Sequence, residues 1–273
     1  MVLPSDISDC LDGVICLPWW KQNTKIMSRR TIAIAAALSV LALGSPLLTA
    51  NANPLARQYF NQGVEKYETG NYQGAIADWS RAIEINPRHA GTYFNRGNAK
   101  HDLKDYQGAI DDYSKAIEIN PQFAVAYYNR GTVKDDLEDY QEAIADYSKA
   151  IEINSRYADA YGNRGSAKND LGDYQGAIAD YSKEIEIKPK DANAYYNRGV
   201  VKYNLKDYQG AIADYTKAIE LDPQNANAFV SNAFVNRGVA RELVNDLEGA
   251  CRDWRKAADL GLTQPAEWVK KQC

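Results

Sequence analysis

The chain has 273 residues, of which 45% are hydrophobic, and a formal net charge of −4. This apolar content is sufficient for a folded core, and the acidic balance argues against a nucleic-acid partner, because nucleic-acid-binding proteins usually carry a basic surplus. Only two histidines are present against 19 tyrosines. Histidine-based catalysis or metal binding therefore has few residues to use.

The first 52 residues differ in pattern from the rest of the chain. Residues 1–26 show no periodicity and are interpreted as an unstructured extension before a translation start at Met27. Residues 27–52 combine the basic pair Arg29-Arg30, an apolar segment and a small-x-small site that ends at Ala52. This is the pattern of a cleaved secretory signal peptide. The alternative is a membrane anchor, because residues 31–50 are about long enough to cross a bilayer.

A 34-residue period governs the remaining sequence. The segment from Tyr72 to Trp79 occurs, with small changes, five times in register. The repeat units are 56–89, 90–123, 124–157, 158–191 and 192–225, with a diverged sixth at 231–264. A fixed period of this length indicates a solenoid, in which each unit buries its apolar face against its neighbours.

Each unit is predicted to form two helices. In the second half of unit two, Tyr106, Ile110, Tyr113 and Ile117 fall on one face of a helix, which Pro121 then ends. The first half, from residue 90 to about residue 103, is predicted to form the other helix.

The repeated residue types resemble those of a known family. Unit two has an aromatic residue, a glycine, and then an alanine, an aromatic residue, an alanine and a proline, at Tyr93, Gly97, Ala109, Tyr113, Ala116 and Pro121. The chain thereby resembles the tetratricopeptide repeat family from residue 56 to about residue 264. The resemblance implies an all-α, right-handed superhelical solenoid of helix-turn-helix repeats, whose first helices line a concave surface that binds proteins or peptides.

Two charged positions recur in this frame. The first helices carry Arg96, Arg130, Arg164, Arg198 and Arg237, and the second helices carry Asp78, Asp112, Asp146, Asp180, Asp214 and Asp253. We expect each arginine to pair with the aspartate of the preceding unit. This pairing would explain why the first unit has Gln62 at the arginine position.

A stripe along the first helices is predicted to form the binding groove. Counted from the first residue of each unit, position 6 is always asparagine, and position 5 supplies aromatic rings. The asparagine amide can both donate to and accept from a peptide backbone. The predicted groove residues are Phe60, Asn61, Phe94, Asn95, Tyr128, Asn129, Asn163, Tyr196, Asn197 and Asn236. Four aspartates on the same stripe favour basic ligand residues: Asp102, Asp135, Asp136 and Asp170. The alternative is that the asparagines bond to neighbouring helices.

Two units depart from the repeat. In unit four, Glu184 replaces a packed alanine, which we interpret as a tolerated change at the surface, and Gly162 leaves a gap in the aromatic row. Before unit six, residues 227–236 contain a five-residue duplication. It predicts a lengthened first helix or a bulge, with Phe229 and Val230 partly exposed.

The C-terminus is predicted to close the solenoid. Residues 265–273 form a capping helix that returns along the last second helix and brings Cys273 close to Cys251. In an oxidising compartment these two cysteines are expected to form a disulfide.

Catalysis finds no support in the sequence. His89 and His101 occupy different repeat positions, and the chain has neither a glycine-rich phosphate loop nor a cluster with metal-ligand spacing. We therefore expect a non-enzymatic scaffold for a protein or an extended peptide, without cofactor, metal or small-molecule substrate. It is expected to be exported to a periplasm or comparable lumen, as an assembly factor; the alternative is a membrane-anchored structural component held by residues 31–50.

Overall fold

The computed structural model of the chain describes residues 53–222 and 228–273, with the side chains described from residue 231 in the second range. The predicted extension at 1–26 and the predicted signal or anchor at 27–52 lie outside these residues. The side chains of Phe229 and Val230 lie outside them as well. No helix of the described ranges is long and apolar enough to cross a membrane.

The described chain is all α-helical, and units one to five each form one helical hairpin. The first helices are α1 (Pro54–Glu68), α3 (Ala90–Asp102), α5 (Ala124–Asp136), α7 (Ala158–Asp170) and α9 (Ala192–Asn204). The second helices are α2 (Tyr72–Ile85), α4 (Tyr106–Ile119), α6 (Tyr140–Ile153), α8 (Tyr174–Ile187) and α10 (Tyr208–Leu221). This is the solenoid of helical hairpins that the period predicts.

Local sequence explains where the second helices begin. The side chain of Asp105 accepts a hydrogen bond from the backbone N–H of Gly108 at 3.0 Å, and Asp173 and Asp207 cap α8 and α10 in the same way. An aspartate at this position satisfies one of the free N–H groups of the first turn. The turn before α4 contains Lys104 at a φ of 65°.

The two helices of each hairpin approach closely at a glycine. A Cβ atom added to Gly97 would lie 2.8 Å from the Tyr113 ring, and one added to Gly199 would lie 2.8 Å from the Tyr215 ring. Both tyrosines are buried, as is Ala109 between the helices. The repeated glycine therefore fixes the spacing of the hairpin, because any side chain there would displace the ring.

Within residues 53–222, consecutive first helices also touch one another: α1 with α3, α3 with α5, α5 with α7, and α7 with α9. These five helices form one side of the stack. We call this side the first-helix face.

The C-terminal residues 228–273 form a second compact part, which is described by itself. It contains α11 (Ala228–Leu243), α12 (Leu247–Asp259) and α13 (Thr263–Gln272). Helix α11 has 16 residues where α3 has 13, so the first helix of unit six is lengthened, as the duplication predicts. The Trp268 ring of α13 lies 5.3 Å from the Trp254 ring of α12, and a disulfide joins Cys251 to Cys273.

Candidate functional site

The recurring arginines form a ladder, but with other partners than the sequence suggested. Arg130 donates from Nε and Nη2 to Asp146 of its own unit at 2.8 and 2.6 Å. Its Nη1 donates to Ser114 of the preceding unit at 2.9 Å. The same three bonds recur at Arg96, Arg164 and Arg198.

The expectation that each arginine pairs with the aspartate of the preceding unit is therefore wrong. Within one hairpin, residues that are 16 positions apart lie side by side on the two facing helices. Each arginine is therefore next to the aspartate of its own unit. The link to the preceding unit is made through a serine. In unit one, Lys66 pairs with Asp78, which accommodates Gln62 at the arginine position.

The ladder is internal to the fold. Asp146 is only 4% exposed, and its second oxygen also pairs with Lys134 at 2.9 Å. The Arg130 guanidinium lies over the Tyr127 ring, 5.6 Å from its centroid. These groups satisfy one another, so they hold the hairpins in register rather than face a ligand.

The aromatic residues at position 5 are paired with a second ring within the same unit. Phe60 lies 5.4 Å from His89, Phe94 lies 5.0 Å from Phe123, and Tyr128 lies 4.9 Å from Tyr157, measured between ring centroids. We call these the ring pairs of units one to three. Sequence reasoning missed the second member of each pair, although an aromatic residue or histidine recurs at position 34 in these three units.

The ring pairs determine which of the predicted aromatic groove residues are accessible. Phe94 is only 5% exposed and belongs to the hydrophobic core, because its ring turns between the helices and packs against Tyr113 and Phe123. Its prediction as a groove residue is thus wrong. Phe60, Tyr128 and Tyr196 are half-buried and remain partly accessible.

The asparagines at position 6 divide into two groups. Asn129 donates to Asn98 of the preceding unit at 2.9 Å, and Asn163 donates to the Tyr128 hydroxyl at 3.0 Å. By contrast, across the described ranges the side chains of three others have no hydrogen-bond partner within the protein: Asn61, Asn95 and Asn197. The alternative role, bonding to a neighbouring helix, therefore holds for Asn129 and Asn163. Asn236 lies on α11 in the C-terminal part.

Two of the aspartates on the stripe bridge neighbouring first helices. Asp102 accepts a hydrogen bond from the Tyr67 hydroxyl at 2.6 Å, and Asp136 lies 3.1 Å from His101 Nε2. Burial, and then the bond to Asp102, raises the pKa of Tyr67, so its hydroxyl keeps the proton that it donates. Asp170 occupies the same position of unit four, and Asp135 immediately precedes Asp136 on α5.

Unit four fills the position-5 space differently. Glu184 is only 8% exposed, and its carboxyl oxygens lie 2.6 and 2.7 Å from the place where a Cβ of Gly162 would stand. The interpretation of Glu184 as a surface change is wrong, because its side chain is buried. Unit four has no ring at position 5, as expected, and the Glu184 carboxyl lies next to Gly162 there. Burial above all raises the pKa of Glu184 to about 8; Asp191 and Asp159 raise it further, and Lys188 opposes them.

The stacked hairpins, their glycine–aromatic contacts and the first-helix face define an all-α repeat solenoid. Sequence profiles of the Tetratricopeptide repeat match residues 90–123, 124–157 and 192–225, and a second TPR repeat profile matches residues 63–104 and 165–206. Together they cover more than half of the chain. The protein belongs to the tetratricopeptide repeat family, as the resemblance implied.

Solved structures of similar proteins agree with this assignment. A crystal structure of MamA shares 28% identity, with a TM-score of 0.59, and covers 64% of this chain and 95% of its own. A crystal structure of YrrB, described as a TPR protein with an unusual peptide-binding site, shares 26% identity, with a TM-score of 0.61, and covers 71% of this chain and 97% of its own. PilW, a type IV pilus biogenesis factor, shares the fold at 17% identity and a TM-score of 0.65, over 80% of this chain and 99% of its own. A comparison with curated protein sequences found no match.

Proposed function

We propose that this protein is a non-enzymatic scaffold that holds an extended segment of a partner protein in a groove along its first-helix face. Tetratricopeptide repeat solenoids are in general protein-interaction modules without catalytic activity, and the similar YrrB is described as having a peptide-binding site. A role in assembling an envelope or internal-membrane complex is the form of this function that we favour.

The observation that carries the proposal is the free amides of Asn61, Asn95 and Asn197. They lie on α1, α3 and α9, at the same position of their units. An amide offers two donors and an acceptor, and an extended backbone presents the complementary groups at regular intervals. Three such amides along one face suit a ligand that is held by its main chain.

The test is affinity capture by the full chain, followed by mass spectrometry of the retained proteins. The variant replaces the three free amides together: Asn61→Ala, Asn95→Ala and Asn197→Ala. The matched control replaces three exposed amides of the second helices: Gln73→Ala, Gln141→Ala and Gln209→Ala. We expect the asparagine variant to lose a partner that the wild type and the glutamine control retain.

Far-UV circular dichroism checks that both variants keep their helix content. If the asparagine variant retains every partner, the binding surface lies elsewhere on the molecule. Truncating Phe94 is unsuitable for this purpose, because the side chain is part of the core and its loss would unfold the unit.

We further propose that the protein is exported and cleaved after Ala52. The Cys251–Cys273 disulfide supports this, because disulfides persist in oxidising compartments. N-terminal sequencing of the natural protein tests it, with a first residue at Asn53 expected. A natural chain that keeps residues 31–50 and sediments with membranes would instead support the membrane-anchored alternative.

A further inference from the structure

Unit four replaces the ring pair of unit three by a group of charged side chains. Glu184 and Asp191 stand where unit three has Ala150 and Tyr157. Asp159 and Lys188 likewise replace Val125 and Asn154, and Gly162 replaces Tyr128. We call this group the acidic notch; its residues are Asp159, Gly162, Glu184, Lys188 and Asp191.

Three of the four charged side chains in the acidic notch have partners. Lys188 Nζ lies 2.6 Å from Asp159 Oδ1, and the Asp191 side chain accepts a hydrogen bond from the Asn193 backbone N–H at 3.0 Å, at the start of α9. The Glu184 side chain, in contrast, has neither a hydrogen bond nor an ion pair with any residue of the described ranges. Three carboxyl groups therefore lie near a single ammonium group, which pairs with only one of them.

The position of Glu184 is unusual for a charged side chain. It is more than nine-tenths buried, and a buried carboxylate without a partner is strongly unfavourable. Its oxygens point to the half-buried Gly162, which adds no side chain between the carboxyl and the first-helix face. The place that a tyrosine ring fills in unit three is thus lined by a carboxyl group that has no partner within the described residues.

We propose that the acidic notch binds an arginine side chain of the partner, with the Glu184 carboxylate as the buried group that receives the guanidinium. The proposal rests on the proposed function, because it assigns one residue type to the held segment. A guanidinium is planar, weakly hydrated and able to form two parallel bonds with a carboxylate, which suits a carboxylate that is mostly buried. A metal ion fits less well, since no cluster suited to holding one occurs in the described ranges.

Binding of this kind depends on pH in a defined direction. The charged groups facing Glu184 are Asp159 on α7, Asp191 at the start of α9 and Lys188 at the end of α8, and burial with the two aspartates raises the pKa of Glu184 to about 8. The Tyr181 hydroxyl on the same helix is protonated, because burial and Glu184 raise its pKa. The guanidinium requires the ionised carboxylate, so affinity rises by up to about 50-fold between pH 6 and pH 8, and binding releases a proton.

The experiment titrates the full chain with N-acetyl-arginine amide, and the probe's neutral analogue N-acetyl-citrulline amide serves as the ligand control. Glu184→Gln keeps the shape of the side chain and removes its charge. Glu186→Gln is the matched protein control, because Glu186 lies two residues further on the same helix and its side chain is 67% exposed. Binding is measured by NMR at pH 6 and pH 8, with ¹³C-labelled glutamate carboxyl groups.

The proposal expects saturable binding of the arginine probe that tightens from pH 6 to pH 8, shifts one glutamate carboxyl signal, and is lost in Glu184→Gln but kept in Glu186→Gln. Equal binding of the citrulline analogue, or unchanged binding in Glu184→Gln, would overturn it, as would the absence of saturation. The probe has no extended backbone. Its failure is therefore separate from a failure of the proposed function, which the asparagine variant tests by partner capture.

Discussion

Units three and four have the same two helices but fill the space at position 5 in opposite ways. In unit three, the Tyr128 and Tyr157 rings lie 4.9 Å apart beside the buried Ala150. In unit four, the same space holds the carboxyl of Glu184 against the bare backbone of Gly162. One unit is closed by an aromatic contact, and the other contains a mostly buried carboxyl group without a protein partner among the described residues.

The ladder is the same in both units. Arg130 and Arg164 each donate from Nη2 to their own aspartate at 2.6 Å, and each reaches a serine of the preceding unit. The register of the hairpins is therefore fixed by the ladder and by the glycine–tyrosine contact. The space at position 5 is free to differ, because neither of these contacts depends on it.

The largest effect is expected when the unit-four carboxyl is placed into unit three. Ala150→Glu in the wild-type background forces a carboxylate against the Tyr128 ring, and the combined overpacking and burial of charge should lower the free energy of unfolding by about 4 kcal/mol or more. Urea unfolding at pH 7, with amide hydrogen exchange of α5 and α6, measures the loss.

The double variant Tyr128→Gly with Ala150→Glu is the control for this prediction. It recreates the space that Gly162 provides and should recover part of the lost stability. If Ala150→Glu alone leaves the free energy of unfolding unchanged, the ring and the carboxyl do not compete for the same space. The two units would then not differ in the way described.

The second prediction concerns pH. An unfolded glutamate has an ordinary pKa of 4.5, whereas burial raises the pKa of Glu184 in the folded protein to about 8. The proton-bound folded state is favoured, so the stabilisation is complete below pH 4.5 and is lost as the pH rises to 8. Relative to Glu184→Gln, the wild type should lose up to about 4 kcal/mol across this window. Urea midpoints of both proteins from pH 4.5 to pH 9 check it, and parallel pH profiles would contradict it.

The third prediction tests the ladder, which the two units share. Arg130→Leu and Arg164→Leu each leave a buried aspartate with only its lysine partner, so each should cost about 2–3 kcal/mol. Equal losses, measured by urea unfolding, are expected in both units. A large difference between them would show that the acidic notch weakens the ladder, and unchanged or raised stability would show that the ladder is dispensable.

The smallest effect separates the two groups of asparagines. Asn163→Ala removes the bond to the Tyr128 hydroxyl and should cost about 1 kcal/mol, whereas Asn197→Ala removes no internal bond and should cost nearly nothing. The same unfolding measurement serves both. A similar loss in both variants would contradict the assignment of Asn197 as a free amide.

The period and the residue types were enough to predict the helices, their order and their close contacts. Gly97 and Tyr113 recur at fixed positions, and a solenoid allows few other ways to bury them. The partner of Arg96 could not be predicted from the sequence, because Asp78 lies 18 residues before it and Asp112 lies 16 residues after it. Only the geometry of the hairpin decides between two aspartates at such similar separations.

The site was harder to predict, because the direction of each side chain determines which residues are accessible on the first-helix face. Phe94 is on the predicted stripe, but its ring turns inward to Phe123, and a helical wheel carries no information on that rotation. Glu184 and Gly162 were each noticed as departures from the repeat. Their compensation was missed, because two substitutions 22 residues apart reveal a shared space only when the hairpin is folded.

The bond from each arginine to the serine of the preceding unit has the same geometry at each of these junctions. In units two to four, the arginine bonds to a serine of the preceding unit, and each unit offers a serine to the arginine of the following one. Removal of residues 124–157 would therefore bring Ser114 to Arg164 and leave the ladder shorter but continuous. Such a shortened chain would move Glu184 one repeat closer to Asn61 while leaving both intact. The separation of Asn61 and Glu184 can thus be changed by whole repeats of 34 residues. A series of such shortened chains would measure the length of the segment that the protein binds.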